Sequence, residues 1–428
     1  MKITIHRGLN QIGGCITEIQ SLFGSKILID LGHNLPDGNG TIEDKYEIPE
    51  NLDKLLAGCS AVFYTHYHGD HLGFAAEVHK RAIPQYMGTL AIRMMVHLNK
   101  HMIFANELKP YAEENLKALG EFKTFHRDCR ITIGDIAITP YSVDHSAADS
   151  YMFLIECDSK KILHTGDFRD HGYFGKGLYS VLEKYIIPKG VDILITEGTN
   201  IGQASKSVMT EQDLSNQLQQ IMKRYKNVFV LYSSADVARL WSIHQAHFNT
   251  KRGRPLVCDK YQQDMIQLFV DEYKSGARYY KFCSKYIVDY RPDNITLLEL
   301  MKYKGFTMLM RASDKFQKIL NQVLPMCKPE DTCVVYSMFR GYIDQQHKAY
   351  IPDLHKFIAQ FAHLEYCHTS GHASKECLEK VCRMVNPSTA IIPIHKESSF
   401  KDMNLPTELK EKIHNDEVLM VVNYRNLN

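Results

Sequence analysis

Thr65-His66-Tyr67-His68-Gly69-Asp70-His71 places three histidines and an aspartate directly after the apolar run 61–64. A short apolar run of that kind reads as a buried strand, so the polar cluster hangs from a strand end. Imidazole and carboxylate are donors that zinc accepts. Alternate residues His66 and His68 can point the same way, toward one cation, while Asp70 and His71 follow on the turn and can reach a second. A lone histidine is usually structural. Four such residues at this spacing read as metal ligands.

A two-cation site needs more donors, and other strand ends offer them. Asp144-His145-Ser146 follows the run 136–141, and Thr165-Gly166-Asp167 follows 160–164. Singly, such a histidine reads as a satisfied polar residue and a Gly-Asp pair as a turn. Beside the first motif, His145 and Asp167 become ligands, and the two oxygens of Asp167 can bridge the cations. Asp30, at the end of Ile27-Leu28-Ile29, is expected to orient a ligand histidine.

Outward from these motifs, residues 1–200 read as short strands and loops. Strands are expected at 2–6, 15–20, 26–31, 61–64, 136–141, 151–157, 160–164 and 191–196, with helices at 73–82 and 88–102. From 204 to 345 the texture changes. Helices at 211–225, 236–248, 261–273 and 314–324 alternate with strands at 228–232, 306–310 and 332–337, which implies a parallel sheet. The tail returns to strand, loop and helix at 364–367, 374–385 and 390–394. At 428 residues the chain is long for one core, and the expected division is 1–203, an inserted 204–345 and a return at 346–428.

The net charge of +2 is unevenly spread. Residues 204–349 hold 22 basic and 14 acidic residues, a balance of +8, against −6 for the remainder. A basic module joined to an acidic one suggests an anionic ligand, although solvated lysines on helix faces would look the same. No stretch is apolar enough to span a bilayer, and Met1–Ile5 lacks the pattern of a signal peptide. Eleven cysteines without a CxxC spacing read as free thiols, so the expected compartment is the cytoplasm and no membrane partner is expected.

The ordered set His66-x-His68-x-Asp70-His71, His145 and Asp167 resembles the metallo-β-lactamase superfamily, whose fold is an αββα sandwich with metals at one edge of the sheets. Three further stretches resemble motifs A, B and C of the β-CASP nucleases, the group that includes ribonuclease J: Thr196-Glu197-Gly198-Thr199-Asn200, Ser370-Gly371-His372-Ala373-Ser374 and Ile392-Pro393-Ile394-His395-Lys396. The resemblance implies an α/β β-CASP domain with a parallel sheet, inserted between motifs A and B. It also implies that His395 completes the second cation site, and that His372, oriented by Glu197, contacts the scissile phosphate. The implied ligand sets are His66, His68 and His145 for one ion, Asp70, His71 and His395 for the other, with Asp167 between. Asp70 counts among the catalytic groups as well. The ions would be zinc, with manganese able to substitute because no thiolate is involved. Two positions depart from the ribonuclease J pattern: Lys396 stands where Gly is usual, and Gly198 where Ser is usual. The chain ends at Asn428, where ribonuclease J continues into a separate domain.

The chemistry of the residues agrees. Divalent cations make water nucleophilic near neutral pH, but the leaving 3′-oxygen still needs a proton, and a carboxylate-held histidine outside the ligand set can supply it. His372 and Glu197 fit; a helix-cap neighbour without a catalytic part is the plainer reading of His372. In the insert, Ser233 and Ser234 with Arg239, Arg311 with Ser313, and Ser337 with Arg340 stand at strand ends, where phosphate is expected to bind. The first group resembles the stretch with which ribonuclease J holds a terminal phosphate. Tyr279, Tyr280, Phe282, Tyr286 and Tyr290 interleave with cations over 273–291, which suits stacking on single-stranded nucleic acid or, as readily, packing in a helical hairpin. The leading expectation is a metal-dependent RNA hydrolase, cutting 5′-to-3′ with endonuclease activity as well. A homodimer is the expected assembly. Hydrolysis of a small ester or thioester and a catalytically silent partner stay open as alternatives.

Overall fold

The computed structural model describes all residues except 38–39, 42–43, 106–107, 204–207, 251–252, 275–279, 284–285 and 422–428. The chain forms two compact units. One comprises Met1–Pro36, Thr41–Ser207 and Gly371–Asn428; the other comprises Asp37–Gly40 and Val208–Ser370.

Isoleucine and other β-branched residues at alternating positions build the first unit. Strands β1 (Lys2–Arg7), β2 (Ile16–Gln20), β3 (Lys26–Ile29), β4 (Ala61–Phe63), β5 (Gln85–Gly88) and β6 (Lys123–Phe125) follow one another in a first sheet. The second sheet begins with β7 (Ile131–Ile133), β8 (Ile136–Val143), β9 (Ser150–Cys157), β10 (Lys160–His164) and β11 (Ile193–Glu197). Side chains alternate between the two faces of a strand. Phe153, Ile155, Ile193 and Ile195 therefore meet Ile3, Ile5, Ile27 and Phe63 of the first sheet in one core. Their neighbours Met152, Leu154 and Leu194 turn to the outer face and pack with Leu378, Val381 and Cys382 of helix Lys375–Val385. Helices Ala75–Lys80 and Thr89–Phe104 pack against β5 of the first sheet. The result is the expected αββα sandwich.

The second unit is a parallel sheet between helices. It contains β12 (Asn227–Leu231), β13 (Leu256–Cys258), β14 (Ile287–Asp289), β15 (Phe306–Met310), β16 (Thr332–Tyr336) and β17 (His363–Tyr366), in the order β14-β13-β15-β12-β16-β17. The central strands are buried along their whole length, as a sheet covered on both faces requires. The return was expected from residue 346. Instead β17 pairs in parallel with β16, from Cys333 opposite His363 to Tyr336 opposite Tyr366, and the second unit runs to Ser370. The chain then adds β18 (Ala390–Ile394) beside β11 and β19 (Val418–Met420) beside β1.

This pairing decides where the polar residues collect. β10, β11 and β18 are parallel neighbours, and β8 runs in their direction because it is separated from β10 by the antiparallel β9. Their carboxyl ends share one edge, which carries Asp144 and His145, Asp167, Glu197 and His395. On the first sheet β3 and β4 are parallel, and their carboxyl ends carry Asp30 and the 65–71 cluster.

Candidate metal centre

Asp30 organises the first motif. Its backbone lies in the left-handed region, with φ 60°, a conformation that costs energy for a residue with a side chain. Its buried carboxylate accepts the Thr65 amide at 2.7 Å and the Thr65 hydroxyl at 2.8 Å. The same carboxylate lies 2.8 Å from His71 Nδ1 and receives its proton, which turns His71 Nε2 toward Asp167 Oδ2 at 3.1 Å.

Two groups of donors result. In the first, His68 Nδ1 lies 3.0 Å from His66 Nε2 and 3.2 Å from His145 Nε2. The other ring nitrogens face Thr65 Oγ1 for His66 and the Gly371 carbonyl for His145, so the convergent nitrogens are the lone-pair ends. In the second, Asp70 Oδ2 lies 3.2 Å from His395 Nε2 and 3.8 Å from His71 Nε2. Asp167 Oδ2 stands between the groups, 3.7 Å from His395 Nε2 and 3.9 Å from both His66 Nε2 and His145 Nε2.

These groups fit divalent cations. Three convergent imidazole nitrogens directed at one another lack protons to share, and the buried His71 Nε2 faces Asp167 Oδ2. Burial, then the crowd of histidines, holds His66 and His145 well below the usual imidazole range and brings His68 to about 4. Burial would raise the Asp167 carboxyl, but His395, His71 and His372 outweigh it and keep it ionised. Burial likewise opposes Asp70, where His71 and His395 prevail. His71 is pushed up against its burial by Asp167, Asp30 and Asp70. Neutral imidazoles and ionised carboxylates are the ligand forms that metals take.

A second pair borders the centre. Glu197 Oε1 accepts the backbone amides of Phe168 and Ala373, which fixes the carboxylate. Its Oε2 accepts from His372 Nδ1 at 2.9 Å. Burial would lower His372, yet Glu197 and Asp167 raise it to about 9. The His372 side chain is 21% exposed, whereas those of His66, His71, His145 and His395 are closed off.

Sequence reasoning passed over Thr199 and Asn200. Thr199 Oγ1 lies 2.8 Å from His395 Nδ1 and 3.1 Å from His372 Nδ1, so one hydroxyl touches both histidines. Asn200 donates to the carbonyls of His372 and Ala373. The spacing from Glu197 within motif A was the available signal.

The two departures from the family pattern are neighbours. Lys396 is buried and donates from Nζ to the Leu9 carbonyl at 2.8 Å. A Cβ on Gly198 would lie 3.0 Å from Lys396 Cβ and 2.7 Å from Ile201 Cδ1. The larger side chain at 396 sits where the smaller residue at 198 leaves room.

The phosphate-binding residues expected in the second unit do not form one open group. Arg239 is fully buried, and its guanidinium meets Glu211 at 3.1 and 3.3 Å, the Ser337 hydroxyl at 2.7 Å and carbonyl at 2.9 Å, and the Thr369 carbonyl at 2.9 Å. Ser337 also donates to the Cys367 carbonyl. Both residues are structural, which corrects the anion-binding role expected of them. Arg311 is paired with Asp259 at 2.6 Å and lies over the Tyr261 ring, while Ser313 caps helix Asp314–Val323. Burial opposes ionisation of Asp259, but Arg311 and then Lys315 bring it down to about 2. Ser233 is exposed and Ser234 half-buried at the end of β12. In the aromatic stretch, Tyr279 lies outside the described residues. Tyr280 and Phe282 are buried against Trp241, and Tyr290 is buried with its hydroxyl on Gln322; Tyr286 is 55% exposed.

Comparison with known proteins agrees with the sandwich. Residues 26–230 match the beta-lactamase superfamily domain. Among curated proteins, ribonuclease J of Helicobacter pylori strains J99 and B128 is 25% identical over 412 residues, 93% of this chain. The chain spans 56% of the length of those relatives. A crystal structure of a protein of unknown function from Enterococcus faecalis V583 shares the fold, with a TM-score of 0.66 at 21% identity, over 92% of this chain and 94% of that one.

Proposed function

We propose that this chain is a two-metal phosphodiester hydrolase acting on single-stranded RNA. The observation that carries the proposal is the His372–Glu197 pair, an accessible, carboxylate-held histidine beside the donor groups but outside both. Ester hydrolysis in a superfamily site does not need such a pair; expulsion of a sugar 3′-oxygen does. The named relatives, ribonuclease J, support the same substrate class.

His66, His68 and His145 would hold one cation, Asp70, His71 and His395 the other, with Asp167 between them. When bound, the cations supply Lewis acidity, which makes water nucleophilic near neutral pH and offsets charge on the phosphate. Zinc suits the donor set, and manganese is the alternative. Glu197 accepts the Nδ1–H hydrogen bond of His372 and holds the ring as an imidazolium; Nε2 then delivers its proton to the leaving oxygen, which leaves a neutral imidazole still bound to Glu197. Thr199 holds His372 and His395 in register. Asp30 fixes the tautomer of His71.

We place 5′-to-3′ exonucleolytic cleavage first and internal cleavage second. Ser233 and Ser234 are the candidates left for a terminal phosphate, since they stay at the surface ahead of helix Val237–Thr250. A cytoplasmic location and a homodimer belong to the same proposal. No described helix is long and apolar enough to cross a membrane.

The test uses 5′-labelled RNA, DNA of the same sequence and a nitrophenyl ester, with zinc or manganese present. RNA should be degraded to mononucleotides, and His372→Ala should remove that activity without loss of metal. Ester turnover that exceeds RNA cleavage and survives His372→Ala would favour the small-ester reading instead.

A further inference from the structure

The sequence reading gave the cation sites nitrogen and oxygen donors alone. Cys15 changes that account. It lies immediately before β2, and its backbone is tied to the ligand turns: its amide donates to the Asp70 carbonyl at 3.0 Å, and its carbonyl accepts from Gly32 at 3.3 Å. Its sulfur, a ring nitrogen of His71 and a ring nitrogen of His395 all lie within 4.8 Å of one another, and all three residues are buried. His71 Nε2 is buried and turned into this donor group, 3.1 Å from Asp167 Oδ2. Gly8 keeps the sulfur's surroundings open, because a Cβ there would lie 3.3 Å from Sγ and 3.4 Å from the His395 amide nitrogen. Cys15 belongs to the core of the first unit, with Leu9 and Ile394, and at its edge has two imidazole neighbours.

We propose that Cys15 is a sulfur ligand of the second cation, beside His71 and His395. This inference rests on the metal-centre reading above. Coordination forms a metal–sulfur bond and releases the thiol proton to solvent. A soft donor among imidazoles and carboxylates shifts the preference toward zinc or cadmium and away from manganese or magnesium. The second position would then be the more selective of the two, since His66, His68 and His145 offer nitrogen alone.

X-ray absorption at the zinc edge tests the assignment on the intact chain loaded with two zinc equivalents, so no variant needs to fold. The expected spectrum contains a sulfur shell at ~2.3 Å, equivalent to one sulfur for two zincs, beside nitrogen and oxygen at ~2.0–2.1 Å. In Cys15→Ser the sulfur shell should vanish, and the ratio of zinc to manganese affinity should fall by roughly tenfold or more. A wild-type spectrum of nitrogen and oxygen alone, with two zincs bound, would overturn the role of Cys15 and leave the metal centre standing. Failure to retain zinc at all would overturn both.

Discussion

The two units treat charged residues at strand ends in opposite ways. In the first, donors from β3, β4, β8, β10, β11 and β18 face one another, and Asp167 stands near five histidines, of which His395, His71 and His372 hold it ionised. In the second, two of the arginines expected to meet an anion already have a carboxylate of their own: Glu211 for Arg239 and Asp259 for Arg311. A buried ion pair costs desolvation on both sides and persists only when its remaining hydrogen bonds are met. Arg239 meets that condition through Ser337 and Thr369. Ionisable residues therefore gather as a candidate metal centre where carboxylates meet histidines, and as internal clasps where carboxylates meet arginines.

The sharpest way to break this contrast is to remove the residue between the donor groups. Asp167→Ala should lose tightly bound metal and all activity above background, because the carboxylate is shared by both positions. Elemental analysis with an RNA assay checks it. Full activity with two retained metals would mean that the cluster is an ordinary polar network.

His372→Ala separates chemistry from metal binding. Turnover should fall by roughly two to four orders of magnitude, the range for a lost general acid, while metal content stays at the wild-type level. A wild-type rate would remove His372 from the mechanism.

In the second unit the effect should appear in stability. Arg239→Met removes the cationic partner of the buried Glu211, at a cost of about 3–5 kcal/mol. Denaturant unfolding measures this, and Arg239→Met combined with Glu211→Leu should recover much of the loss. Any preference for 5′-monophosphate over 5′-hydroxyl RNA should be unchanged per folded molecule. If that preference disappears while stability holds, the arginine reaches the substrate after all.

The contrast also marks what sequence can reveal. The 65–71 cluster was legible because its donors are adjacent in the chain and share one strand end. Most long strands were legible from alternation, as in Ser150–Cys157, where Phe153 and Ile155 face one core and Met152 and Leu154 another. Three-residue strands such as Leu256–Cys258 and Ile287–Asp289 are too short to display a period and were missed. The fate of Arg239 was hidden for a different reason. Its counter-ion lies 28 residues earlier, and its other partners come from 98 and 130 residues later. No local pattern distinguishes an arginine awaiting an anion from one already paired. Cys15 was hidden likewise, since its two imidazole neighbours are brought to it by separate strand ends.

The smallest effect tests whether the metal centre's departures from the family pattern are a matched pair. Gly198 and Lys396 lie on adjacent strand ends, β11 and β18, which run in parallel from Ile193 opposite Ala390 to Glu197 opposite Ile394. A Cβ at 198 would approach Lys396 Cβ to 3.0 Å, and that atom is close to the backbone and has little freedom to yield. Gly198→Ser should therefore destabilise by about 1–3 kcal/mol, as overpacking does. Lys396→Gly removes the obstacle but also loses the bond from Nζ to Leu9 and the packing of its stem, so it too should destabilise. Together the substitutions restore the pattern usual in ribonuclease J, and the serine should enter the space that the lysine stem vacates. The double variant should then be more stable than the sum of the single losses predicts, by about 0.5–3 kcal/mol, the range for residues in contact. Urea unfolding of the four proteins gives the coupling. Strict additivity would mean that Ile201, whose Cδ1 is the nearer and more mobile neighbour, absorbs the clash alone, and that the two departures arose independently.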